Sequence, residues 1–425
     1  MILRSSLLNS FIATLLGSGT SKVILVFATF VCSNLLEKME FGELSFVRNT
    51  LNMILCICAL NFTTLCTKFA TEAKTSIESL HRLFILFLFS IVVCILIGLF
   101  FILAPNDLLI KILSTATVVS FFKIVGILLP VFMLQPLIEG VLRGLKKFKL
   151  IGILQTVSSL FYFIAVYVGI LLDKLNGALI GVILYFTLYS IISVIVFFFN
   201  VSLYKHINKI KGFWSEKSSI RKMIFPIFIM SFIDAPVMWI AQVVLSKSGS
   251  MESVGSMTAM MQIRNLAMLI PSYFSNTYIA YAGELNAKKK YSEYYVQYGK
   301  IEKMYWMIGS LMFVLFSILA QPILSLYGED FISDWPAMVI SNLAIPVIMM
   351  IGLYRIDLIL KDHQQTLLYT SILWNTVWLI ALYIMIISGI TPLYSFFSSQ
   401  LIGAIIFLVV LYCIYIKDKR NLFRK

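Results

Sequence analysis

The sequence predicts an all-α polytopic membrane protein, with about twelve transmembrane helices in two six-helix lobes and both termini cytoplasmic. Three observations predict it. Of the 425 residues, 60% are hydrophobic and only 13% charged, with a mean hydropathy of +0.94, whereas soluble domains carry roughly a quarter charged residues. Apolar runs of about 20 residues, the length that crosses a hydrocarbon layer of about 30 Å, recur along the whole chain. Between those runs the cations alternate in density. The composition excludes a soluble enzyme, and the net charge of +14 is a topology signal before it is a nucleic-acid signal.

Taken in order, the apolar runs place spans near 8–35, 44–66, 83–104, 112–136, 150–171 and 177–200. After a polar stretch they resume near 223–246, 253–282, 304–326, 336–360, 367–388 and 393–416. The N-terminal Met1-Ile-Leu-Arg-Ser-Ser has no small-residue cleavage site, so the first run is expected to be a retained helix. Loops on the N-terminal side of the membrane hold 25 Lys and Arg residues, six of them in 201–222. The opposite loops hold four: Lys38, Lys111, Lys174 and Lys247. Cations stay on the cytoplasmic side, so both ends of an even-spanned chain lie there. The basic stretch 201–222 divides the chain into a first lobe, 1–200, and a second, 223–416, followed by a basic tail, 417–425. Each lobe has an even number of spans, so the lobes are expected to be parallel repeats.

Five cations remain inside spans: Lys22, Arg48, Lys123, Arg264 and Arg355. Two carboxylates, Asp234 and Asp357, join them. A charge at the bilayer centre costs about 2.5–3.5 kcal/mol, so such residues face a cavity or a partner. Lys22, Lys123, Asp234 and Arg264 sit near the midplane. Arg48 is four or five residues inside its helix, within snorkelling reach of the interface. Arg355 and Asp357 lie near the cytoplasmic end of the tenth span, as a candidate gate or a pair. Polar residues Thr14, Ser18, Ser21, Lys22, Thr29 and Ser33 form one stripe on the first helix. Pro236 follows Asp234 by two residues, and a backbone break at that depth is tolerated where it lines a cavity. Three midplane cations against one acid favour an anionic passenger. Asp234 is either a coupling site for H+ or Na+ or a counter-ion.

Catalytic and metal signatures are missing. Gly17-Ser18-Gly19-Thr20-Ser21-Lys22 fails the phosphate-loop spacing and lies inside a membrane helix. The three histidines are scattered, and the six cysteines sit in or beside apolar runs as packing residues, so no metal and no cofactor is expected. The expected outer loops are too short to position sugars for a membrane glycosyltransferase or polymerase.

The same glycine-rich segment of the first helix resembles the opening of polysaccharide flippases of the multidrug/oligosaccharidyl-lipid/polysaccharide export superfamily. Glu40-Phe41-Gly42 before the second span and Lys68-Phe69-Ala70-Thr71-Glu72-Ala73 after it fit the same pattern. So do Glu139-Gly140-Val141-Leu142-Arg143-Gly144-Leu145-Lys146-Lys147-Phe148-Lys149 and, in the second half, Tyr327-Gly328-Glu329. After the tenth span, Leu360-Lys361-Asp362-His363-Gln364-Gln365 departs from the pattern. The resemblance implies a fold like the multidrug-extrusion antiporters and a repeat-unit flippase (Wzx-type) for O-antigen or capsule in a bacterial inner membrane. Its expected passenger is an undecaprenyl-pyrophosphate-linked oligosaccharide, moved by alternating access. Expected partners are that substrate, membrane lipids, a polysaccharide polymerase, a chain-length regulator and a coupling ion, with no nucleic acid. By depth, Lys22, Arg48, Lys123 and Arg264 are the cations that would hold the pyrophosphate. An ion-coupled multidrug antiporter is the alternative on the same fold, and a glycosyltransferase or polymerase the third reading.

Overall fold

A computed structural model of the chain describes residues 5–59, 62–72, 77–113, 115–200, 228, 233–268, 290–361 and 363–424. Within some helices the side chains of individual residues, among them Thr14, Ser18 and Asp234, lie outside the described set. The basic stretch 201–222, most of 223–232 in the seventh expected span and 269–282 of the eighth lie outside it as well. The described residues are helical, without strands, and divide into two compact units, Met1–Val243 and Val244–Lys425.

In the first unit α1 (Ser5–Leu35), α2 (Lys38–Cys58), α3 (Thr63–Glu72), α4 (Ile77–Leu103), α5 (Asn106–Leu113), α6 (Ala116–Phe132), α7 (Leu134–Gly144) and α8 (Phe148–Asn200) follow one another. The second expected span, 44–66, is therefore two pieces. Ala59 ends α2 with its N–H on the Leu55 carbonyl at 2.8 Å, and α3 restarts at Thr63. The fourth, 112–136, is likewise cut. Thr115 caps α6 by accepting from the Val118 N–H, and Pro136 falls in the first turn of α7, where its missing N–H costs nothing. At 53 residues α8 would run about 80 Å, far beyond one bilayer. Asp173 and Lys174 leave helical geometry, with Lys174 at φ 37°, so α8 is two spans folded at that corner. These are the expected fifth and sixth spans.

Small residues set the closest approaches, as packing between membrane helices requires. A Cβ on Gly17 would stand 2.3 Å from the Gly152 Cα, which locks α1 against α8. On α7, Gly140 meets Thr63 and Cys66 of α3 and Gly144 meets Thr67, where an added Cβ on Gly144 would stand 2.3 Å from the Thr67 carbonyl oxygen. Thr67 and Thr71 donate across that contact to the carbonyls of Gly140 and Gly144, each at 3.1 Å. Two of the segments that carry the family resemblance thus pack face to face: the threonines fill the groove that the glycines leave. Glu40, in another of them, accepts from the Glu37 N–H at 3.2 Å and caps α2.

α9 (Asp234–Ser248) carries the boundary between the units. In the second unit come α10 (Met251–Ala267), α11 (Tyr291–Ile318), α12 (Ala320–Ser325), a 3-10 turn (Glu329–Asp334), α13 (Trp335–Leu360), α14 (Gln364–Ile387) and α15 (Pro392–Arg424). The expected ninth span, 304–326, begins thirteen residues earlier than its apolar run. Tyr294, Tyr295 and Tyr298 on that added stretch are buried in the aromatic core with Tyr354 and Tyr415, so packing extends the helix past the apolar run. Tyr327-Gly328-Glu329 is a corner. Gly328 sits at φ 127°, a region closed to side chains, and buried Tyr327 donates to the Ala259 carbonyl at 3.4 Å. The basic tail, 417–425, continues α15 as helix to Arg424. Seven described helices are long and apolar enough to cross a membrane, and α8 alone contains two spans. The chain is a multi-pass membrane protein.

Candidate functional site

The spanning charges fall into a group in each unit. In the first, Arg48 on α2 opens onto a cleft lined by Thr29, Cys32, Phe41, Leu44, Ser45 and Tyr162. The half-buried guanidinium donates from Nη1 to the Tyr162 hydroxyl at 3.2 Å. The cleft borders the polar stripe of α1. Thr29 lines it, and Lys22 lies seven residues earlier on the same face, about 10 Å along the helix. Lys22 is exposed and Lys123 on α6 is half-buried. Neither forms a hydrogen bond or ion pair among the described residues.

Behind the Arg48 cleft runs a column of tyrosines. The Tyr162 and Tyr185 rings are 5.0 Å apart and Tyr185 and Tyr189 5.7 Å, both between the two arms of α8 or along the second arm. Tyr189 ends the column by donating its hydroxyl to Glu139 Oε1. Glu139 is buried and accepts two further bonds, from Gln135 Nε2 at 2.7 Å and Gln155 Nε2 at 3.1 Å. This carboxylate was not among the sequence candidates. It follows the end of the fourth apolar run by three residues and reads as loop, because Pro136 hides the restart of the helix. The i, i+4 spacing of Gln135 and Glu139 was the available signal.

In the second unit Arg264 on α10 is almost fully buried, at 4% exposure. Its Nη1 donates to Gln400 Oε1 of α15 at 2.7 Å and to Ser341 Oγ of α13 at 3.4 Å. Among the described residues its hydrogen-bond partners are therefore neutral, and the guanidinium keeps its charge unbalanced by any bonded acid. Asp357 is buried near the end of α13, bonded by the Tyr294 hydroxyl and by Lys361 Nζ at 2.7 Å. Lys361 also donates to Tyr295 Oη at 3.0 Å and stands over the Tyr295 ring, 5.2 Å from its centroid. Burial pushes the Lys361 ammonium down. The Asp357 charge and the bonds to Asp357 and Tyr295 outweigh it, holding the group above its ordinary value. Arg355, half-buried, stands two residues before Asp357 on the same helix. Asp357's described partners are thus Lys361, from the segment where the family pattern breaks, and a tyrosine.

Asp234 opens α9, with Pro236 in the helix's first turn, and its side chain lies outside the described residues. All six cysteines are free thiols. No cluster of His, Cys, Asp and Glu with metal-binding geometry occurs among the described residues.

This arrangement of helices matches solved transporters. An inward-facing multidrug resistance MATE family transporter of the MOP superfamily superposes with a TM-score of 0.81 over 97% of this chain and 99% of its own, at 11% identity. The chain adopts the MATE-type transporter fold. A MOP superfamily transporter from Pyrococcus furiosus, whose binding pocket is described as reversed in polarity, gives 0.68 over 99% of this chain and 96% of its own at 12% identity. A Vibrio cholerae MATE transporter gives 0.67 over 99% and 98% at 14% identity. No protein-family model and no curated protein matches the chain. At these identities the likeness is one of fold. It leaves the chemistry to the side chains.

Proposed function

We propose that the protein is a flippase that moves an anionic lipid-linked oligosaccharide, of the undecaprenyl-pyrophosphate class used for O-antigen or capsule, from the cytoplasmic to the outer leaflet of a bacterial inner membrane. The lobes 1–200 and 223–416 would alternate access to a cavity holding the pyrophosphate and sugars, with the lipid tail left in the bilayer. The observation that carries this reading is Arg264. It is a guanidinium at membrane depth whose described partners, Gln400 and Ser341, are both neutral. A buried cation without a bonded acid is costly unless an anion visits it. The Lys22, Arg48 and Lys123 side chains supply the same sign in the first unit, and a diphosphate is matched by guanidinium donors in pairs.

The fold fits an ion-coupled multidrug antiporter equally well. Against that reading stands the sign of the spanning charges, since a pump for cationic drugs favours acids in its cavity. Complementation separates the two. A strain lacking its repeat-unit flippase should regain surface polysaccharide when it expresses this chain, and a drug-sensitive strain should gain no resistance. Lys123→Ala and Arg264→Ala should abolish surface glycan at normal protein level, while Lys123→Arg retains part of it. Wild-type export from both Ala variants would make these cations structural.

A further inference from the structure

In the segment from Glu139 to Lys149 the glycines are accounted for by their packing on α3, but the cations are not. Arg143, Lys146, Lys147 and Lys149 crowd the corner where α7 ends and α8 begins. Lys68 joins them from α3, next to the Thr67 that Gly144 touches. Lys147 is engaged in the fold, since its ammonium donates to the Asn200 carbonyl at the far end of α8. The side chains of Lys68, Arg143, Lys146 and Lys149 are exposed, and among the described residues none of them forms an ion pair or hydrogen bond.

The corner is held in place by its backbone. The Lys147 N–H reaches the Leu142 carbonyl at 2.9 Å and closes α7, which puts Lys146 at φ 60°. A residue with a side chain is unfavourable there, and glycine would be the ordinary choice. Lys147 and Lys149 also flank the start of α8, the end of a helix that favours acids. Cations are thus kept at this corner against local preference.

The outer face of α8 shows what lies beside them. Ile153, Val157, Leu160 and Ile164 are exposed at intervals of four, three and four residues. They form one apolar stripe about 17 Å long. On a helix that crosses the membrane such a stripe faces acyl chains. Lys149 continues the stripe by one turn, so its ammonium stands at the level where acyl chains give way to headgroups. The corner after α13 in the second unit is built differently: Lys361 turns inward there and pairs with Asp357 at 2.7 Å.

We propose that the α7–α8 corner, with Lys68, Arg143, Lys146 and Lys149, is a docking site for anionic phospholipids of the leaflet that the basic loops mark as cytoplasmic. The cations take the headgroup phosphate and the Ile153–Ile164 stripe seats an acyl chain. Two properties select this occupant: four outward cations without a bonded acid, and their position at the head of a lipid-facing stripe. The site is independent of which cargo the protein carries.

Native mass spectrometry of the purified full-length protein, released from nanodiscs of equal parts phosphatidylglycerol and phosphatidylcholine, counts the lipids it keeps. The wild type should retain phosphatidylglycerol in preference to phosphatidylcholine. Replacing Lys68, Arg143, Lys146 and Lys149 together by Gln should abolish that preference. Replacing four exposed cations of the second unit, Lys300, Lys303, Lys417 and Arg420, by Gln removes the same charge and should leave it. Lys149→Gln alone should lower the retained ratio by about fivefold, and Lys149→Arg should keep it. No preference in the wild type, equal loss in the two fourfold variants, or an unchanged ratio in Lys149→Gln would each overturn the proposal. Displacement of the bound lipid by inorganic phosphate at the lipid's own concentration would assign the corner to a soluble anion and overturn it as well. Should the fourfold variant of the corner fail to fold, the Lys149→Gln and Lys149→Arg pair decides.

Discussion

Replacing Arg264 by Met separates a cation kept for its ligand from one kept for the fold. Removing a guanidinium from the bilayer midplane, the depth expected for Arg264 from the sequence, relieves about 2.5–3.5 kcal/mol. The loss on the other side is of similar size. The 2.7 Å bond to Gln400 is worth about 1–2 kcal/mol between membrane helices, and the bond to Ser341, at 3.4 Å, is near the limit of what counts as one. Gln400 is then left buried with an unsatisfied carbonyl, a penalty of about 1–3 kcal/mol. The terms nearly cancel, so Arg264→Met should unfold within about 2–4 °C of the wild type. Adding Gln400→Leu removes the orphaned amide and should raise the transition again. Export should nevertheless fail in both. Thermal unfolding in detergent by intrinsic fluorescence, alongside surface-glycan scoring, reads the two quantities separately. A drop of more than about 10 °C in Arg264→Met, with residual export in proportion to surviving protein, would show that Arg264 braces α10, α13 and α15 and would refute the ligand argument.

Reporters should place residue Lys211 in the cytoplasm and Gly328 in the periplasm, following the asymmetry of 25 cations against four; a reversed signal at either site breaks the twelve-span order. Gly144→Leu should cost more than about 3 kcal/mol and sharply reduce abundance, because its Cβ would meet the Thr67 carbonyl at 2.3 Å, and near-normal levels would show that α3 and α7 can part cheaply. The Lys361 ammonium is held above its ordinary value, so its contribution to stability is complete below the unfolded-state value of 10.5 and is lost as pH rises through the higher folded value. An alkaline unfolding series should accordingly show a wild-type decline above about pH 10 that Lys361→Met lacks, and equal slopes would remove that pair from the account.

Much of the fold is legible in the sequence because bilayer thickness is a strict ruler. Apolar runs at 83–104, 336–360 and 367–388 agree with α4, α13 and α14 to within a few residues, apart from an earlier start to α4. Where the ruler failed, a local rule intervened. Thr115 and Pro136 recut the fourth span, and the tyrosines of 291–303 lengthened the ninth for the sake of packing rather than hydropathy. The candidate site was legible in part. Charge alone flagged Arg264, Arg48 and Asp357, because a charge in an apolar run has no other context. Their partners were not legible: Tyr162 lies 114 residues from Arg48 and Gln400 136 from Arg264, separations that hydropathy does not relate. Glu139 escaped because it stood just past the apolar run, and Lys361 because it looked like one more cytoplasmic cation. The glycine-rich segments that carry the family resemblance proved to be contacts between helices, at Gly17, Gly140 and Gly144, which explains why they mark the fold and not the cargo.

If the spanning cations serve an anionic lipid-linked sugar, that role is read out as transbilayer movement in vesicles containing only the purified protein. Labelled undecaprenyl-pyrophosphate-linked oligosaccharide should move between leaflets faster than in empty vesicles. The Arg264→Met protein should show no such movement, and a cationic drug should not be transported by either. Drug transport with no movement of the lipid-linked oligosaccharide above the empty-vesicle rate would contradict the account.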